Sequence, residues 1–115
     1  MSENAIIVVK PQGRLDALGA RTLWTELQPL TQRAAVRVLV DLGDTRYISS
    51  DGLRVLIRAD KGVKHNGGKL VLCCLNERIT EIVTMAGLDR VLEIHPTPAA
   101  AQRALDAHSS GAIKS

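Results

Sequence analysis

Apolar positions along the chain follow two alternating rhythms. Compact runs rich in Ile, Val and Leu occupy 5–10, 36–42, 69–75 and 91–94, and they have the length and density of strands. The first ends at Pro11 and Gly13, and the second is nearly all apolar, as a strand covered on both faces reads. Between these runs, apolar residues recur every three or four positions, the spacing of one helix face. Residues 18–32 place Ala20, Leu23, Leu27 and Leu30 together with Trp24 on the flank, while Arg21, Thr25 and Gln28 face away. Asp16 suits the cap of this helix, and Pro29 should end or kink it. Residues 52–64 align Leu53, Leu56, Ala59 and Val63 before the stop at His65, Asn66, Gly67 and Gly68. Residues 77–86 align Ile79, Ile82, Val83 and Ala86 between a cap at Asn76 and a close at Gly87. Thr97 and Pro98 open a last helix that buries Ala101, Ala104 and Leu105.

Strands separated by helical stretches predict an α/β layer fold with right-handed crossovers. The expected architecture is a single domain over 1–108, a mixed, mostly parallel sheet of four to five strands with four helices. A small, polar and flexible tail follows over 109–115. In such folds, function collects where strand ends and helix starts share one edge, which here means 13–16, 43–52 and 75–77.

Composition narrows the classes. The 115 residues suit one domain, and with Trp24 and Tyr47 the only aromatics the core must be made of Leu, Ile, Val and Ala. The net charge of +3 comes from basic residues scattered singly, with neither a stripe nor an aromatic platform, which argues against direct nucleic-acid binding. No apolar run reaches the length of a membrane helix, so a cytoplasmic protein without membrane insertion is expected. Cys73 and Cys74 are strand neighbours expected to point to opposite faces as small apolar residues. They show no CxxC spacing, and His65, His95 and His108 stand alone, so no metal or cofactor site is expected. No GxSxG, Walker or GxGxxG pattern is present, and no enzyme is predicted.

The most informative segment is 46–53, Arg-Tyr-Ile-Ser-Ser-Asp-Gly-Leu, between a buried strand and an amphipathic helix. Ser50 falls where the cap belongs, and Asp51 suits the first turn. Two serines, an aspartate and a glycine suffice for a good cap and nothing more. The same position also exposes a hydroxyl at a helix start, where a phosphate would meet free N–H groups. Phosphorylation there adds about −1.5 to −2 charge beside Asp51, with Asp16 and Asp44 expected on the same edge. A docking surface could thus be switched off with no change of fold.

Several short motifs in register carry a resemblance. They are Gly13-Arg14-Leu15-Asp16, Val40-Asp41-Leu42, the run Ile48-Ser49-Ser50-Asp51-Gly52-Leu53-Arg54-Val55-Leu56, then Gly67-Gly68-Lys69-Leu70 and Met85-Ala86-Gly87-Leu88-Asp89. Over roughly 5–105 the chain resembles the STAS domain family in its stand-alone form, a bacterial anti-sigma factor antagonist. The resemblance implies partner switching. The unphosphorylated domain binds an anti-sigma factor that is also a serine kinase of histidine-kinase-like ATPase fold. Phosphorylation separates the two, and a PP2C-type phosphatase reverses the mark.

By motif position the phosphorylated residue is Ser50, and the partner-binding rim is Asp16, Ser49, Asp51, Gly52, Leu53 and Arg54. The family often has Asp where Ser49 stands, which makes Ser49 a competing acceptor. Only residues 1–4 precede the first strand, where relatives carry a short extra one, so an open edge is expected to allow weak self-pairing. A second reading is an accessory subunit docking on the ATPase of a lipid-transport ABC system, as other stand-alone members do.

Overall fold

The computed structural model describes residues 5–108. The flexible tail expected at 109–115, and the question of an extra strand over 1–4, lie outside the described residues.

Ten elements of regular strand and helix build the domain. In chain order they are β1 (Ile6–Val9), β2 (Gly13–Leu15), α1 (Ala17–Leu27), β3 (Arg37–Asp41), β4 (Thr45–Ile48), α2 (Ser50–His65), β5 (Lys69–Cys73), α3 (Glu77–Met85), β6 (Glu93–His95) and α4 (Pro98–Asp106). The main sheet has the order β1-β3-β5-β6, and β2 pairs with β4 as a separate two-stranded sheet. Every pair among the described residues is parallel. Four helices and a parallel sheet thus form a single α/β domain of the expected kind.

Alternation along β3 and β5 explains the layering. Val38, Val40, Leu70 and Leu72 join Leu23, Leu27, Leu56, Ala59, Val63, Ile79 and Val83 in the larger core, so α1, α2 and α3 cover one face. The intervening residues Leu39, Val71 and Cys73 pack with Ala101 and Leu105 of α4 on the other face. These strands are buried on both sides, which is why they read as unbroken apolar runs.

Local signals acted largely as expected. Asp16 accepts from the Gly19 N–H at 2.9 Å, Asn76 from Ile79 at 2.8 Å and Thr97 from Ala100 at 3.1 Å. Gly87 takes the left-handed conformation (φ 75°) after α3. Pro29 stops α1 at Leu27, and Gln28–Gln32 continues as a tighter 3-10 turn.

The structure also departs from the pattern reading. β2 and β4 are strands of only three and four residues that carry no long apolar run, and they pair although residues 16–44 separate them. Ala86, aligned with the inner face by helical spacing, is exposed because the end of α3 turns to solvent, and Met85 beside it is 87% exposed.

Candidate functional site

The start of α2 lies at the end of the β2–β4 pair. Ser49, not Ser50, is the helix cap. The Ser49 hydroxyl accepts from the Gly52 N–H at 3.3 Å and donates to the Leu15 carbonyl at 2.7 Å, and the Ser49 N–H reaches the same carbonyl at 2.9 Å. The cap expected at Ser50 is therefore one residue earlier, because a side chain still in extended backbone reaches both β2 and the first turn. Ser50 becomes the first helical residue, and it is exposed.

Gly52 shows why this corner tolerates no side chain at that position. A Cβ there would stand 2.7 Å from Ile48 Cγ1 and 3.0 Å from Leu15 Cβ. Leu53 is likewise buried, facing the core beside Leu15 and Ile48. Of the rim residues, Asp16, Ser50, Asp51 and Arg54 are exposed, Ser49 is half-buried, and Gly52 and Leu53 lie beneath them. Leu15 is hydrogen-bonded to Ser49, so its neighbour Asp16 sits on the same edge as the start of α2.

Charge at this edge is more balanced than the sequence suggests. Asp51 pairs with Arg54 at 3.6 Å, and Asp44 pairs with Lys10 at 3.7 Å. Asp16 is engaged with its own helix start. Beside β4, Arg14 stacks over the Tyr47 ring at 4.6 Å, and Arg78 of α3 lies 5.7 Å from the same ring. This double stack is a surface feature that sequence reading missed. Arg14 and Tyr47 meet through strand register, which no local spacing encodes.

The cysteines overturn their expected arrangement. Cys74 lies just past β5 with φ +66°, which turns its thiol back until the two Sγ atoms are 3.3 Å apart. Both are free thiols. With Asp41 they form a cluster whose candidate ligand atoms all lie within 4.8 Å of one another. Burial first, and the hydrogen bond from Cys74 second, push the Cys73 thiol up to about 12, so it is neutral in the free protein.

The fold and this corner define a small parallel α/β domain with an exposed serine at a helix start. The STAS domain family model matches residues 2–101, and the chain belongs to that family. It is 34% identical over 88 residues to the anti-sigma-B factor antagonist of Bacillus subtilis (strain 168), covering 76% of this chain and 80% of that protein. The anti-sigma-B factor antagonist of Listeria monocytogenes is 28% identical over 82 residues, covering 71% and 72%. Among solved structures, an anti-sigma factor antagonist from Mycobacterium paratuberculosis superposes with TM-score 0.79 at 19% identity, over 92% of this chain and 90% of that one. The anti-sigma factor antagonist SpoIIAA in its unphosphorylated form gives TM-score 0.72 at 14% identity, over 90% and 91%. At these identities the structures speak for the fold alone. No helix among the described residues is long and apolar enough to cross a membrane.

Proposed function

We propose that this protein is a cytoplasmic anti-sigma factor antagonist that acts by binding, with Ser50 as its switch. Its partner is an anti-sigma factor serine kinase of histidine-kinase-like ATPase fold, held while Ser50 is unmodified. The observation that carries this reading is the division of labour between adjacent serines. Ser49 spends its hydroxyl on Leu15 and Gly52, whereas Ser50 is exposed at the first turn of α2. A kinase can reach the second without dismantling the cap.

Transfer of the γ-phosphoryl group from ATP to Ser50 Oγ releases ADP and the hydroxyl proton. The new phosphate sits at the positive end of the α2 dipole, so it stabilises the helix rather than melting it. Its effect is on the surface. Arg54, one turn on from Ser50, is the cation that pairs with Asp51. A phosphate competes for that guanidinium and leaves a concentrated negative charge at the rim, which breaks complementarity to the partner. A PP2C-type phosphatase restores the hydroxyl. The two relatives named above, both called anti-sigma-B factor antagonists, favour this reading over an accessory subunit of a transport ATPase.

The test is co-purification with the kinase of the same cell, using wild type, Ser50→Ala and Ser50→Asp, with mass spectrometry after incubation with ATP and Mg²⁺. The alanine form should keep the partner in the presence of ATP, and the aspartate form should lose it. Equal recovery of both, or phosphorylation that persists at another residue in Ser50→Ala, overturns the assignment.

A further inference from the structure

The Asp41–Cys73–Cys74 cluster lies at the carboxyl ends of β3 and β5 and includes no residue of the α2 start. Register places Asp41 directly beside Cys73. Cys73 is fully buried and Asp41 is 8% exposed, while Cys74 is only partly covered and opens the cluster to solvent. The turn that follows β3 wraps the carboxylate. Asp41 Oδ1 accepts from the Gly43 N–H at 2.8 Å, and Oδ2 lies 3.9 Å from Lys10 Nζ. Lys10 is half-exposed and reaches Asp44 as well, so it can withdraw from Asp41 without losing its ion-pair partner.

We infer that Cys73 Sγ, Cys74 Sγ and an Asp41 carboxylate oxygen form a binding site for one thiophilic divalent cation of the Zn²⁺ or Cd²⁺ class. Two soft sulfur ligands and one hard oxygen suit such ions, and hard cations such as Mg²⁺ or Ca²⁺ would decline the thiols. The geometry is close to what is needed. Thiolates bound at about 2.3 Å in a tetrahedral shell stand about 3.8 Å apart, against the 3.3 Å found here. The half-exposed Cys74 side chain supplies the small rotation, and water fills the fourth position. Both thiols give up their protons to solvent as the two sulfur–metal bonds form, and Lys10 moves wholly to Asp44. The left-handed backbone at Cys74 is uncommon outside glycine. It is the feature that turns two strand neighbours into a chelating pair.

The bound ion would join β3 to β5 through the Asp41 carboxylate, the one ligand that folding alone brings to the adjacent thiols. Binding should therefore raise thermal stability by mass action.

The experiment titrates the reduced, metal-free, full-length protein with Cd²⁺, following the ultraviolet thiolate-to-metal charge-transfer band and the melting midpoint. One equivalent should saturate the band and raise the midpoint, with Zn²⁺ competing for the same site. Cys74→Ala, chosen because its side chain is not in the closed core, should lose the saturable band and the midpoint shift while melting cooperatively without metal. Asp41→Asn should weaken binding by about tenfold or more. A band that fails to saturate at one equivalent, or that survives unchanged in Cys74→Ala, overturns the site. Binding unaltered in Asp41→Asn removes the carboxylate from the ligand set and overturns the proposal as stated.

Discussion

At the scale of single residues, adjacent serines with the same chemistry have different physical jobs. Ser49 satisfies an orphan N–H of α2 and holds the end of β2 through the Leu15 carbonyl. Replacing it with alanine removes the cap and leaves that carbonyl with only the Ser49 N–H, so Ser49→Ala should cost about 0.5–2 kcal/mol of stability. Ser50 is exposed, and Ser50→Ala should stay within about 0.5 kcal/mol of wild type. Urea denaturation with both variants side by side checks this, and equal losses would place the structural load on the wrong serine. The cap motif was legible in the sequence to within one position. Which serine takes the cap depends on the distance to Leu15, a contact made across 34 residues.

At the scale of elements, the edge strand β6 is short and is held by charge as well as by backbone pairing. Glu93 reaches across to Lys69 of β5 at 3.0 Å, and its other oxygen lies 2.7 Å from His95 Nε2. Burial pushes the Glu93 carboxyl up, but the hydrogen bonds with His95 and Lys69 outweigh it and hold the group below its ordinary value. A depressed carboxylate stabilises the fold above its unfolded value and loses that contribution as pH falls through the folded one. Stability measured by denaturation at a series of pH values should therefore decline on the acid side of pH 4.5 in wild type. The decline should be shallower in Glu93→Gln, and an unchanged slope would count against this role. Asp60 on α2 shows the opposite balance. It is 1% exposed, and burial pushes its carboxyl up despite Lys64 at 3.0 Å. The Asp60–Lys64 pair has the i,i+4 spacing of one helix face, but the depth of Asp60 and the reach of Glu93 to Lys69 depend on packing that no spacing encodes.

At the scale of the whole molecule, the sheet separates two packed layers, and only one of them carries the exposed serine. Leu105 of α4 is fully buried against Leu39 and Val71 on the far face. Leu105→Ala should cost about 2–5 kcal/mol, because the cavity it leaves can close only partly. If the proposed docking surface is confined to the α2 edge, the variant below its lowered melting point should recover as much of the proposed kinase partner as wild type recovers. Loss of capture by a protein shown to be folded would place part of the docking surface on the α4 face. The low aromatic content fits this architecture, since closely spaced layers are filled by Leu, Val, Ile and Ala.

The sequence alone determined the alternation of strand and helix, the helix caps to within a residue, the core positions of α1, α2 and α4, and the family motifs around Ser50. Those signals are local, a period of apolar residues or a polar group three positions from the N–H it accepts, and they survive being read one window at a time. Only the tertiary structure decided the rest: β2 paired to β4, Arg14 and Arg78 stacked on Tyr47, Met85 turned to solvent, and the thiols of Cys73 and Cys74 brought together beside Asp41. These depend on parallel register between distant strands and on one left-handed backbone angle. Neither leaves a periodic mark along the chain, so folding had to place them.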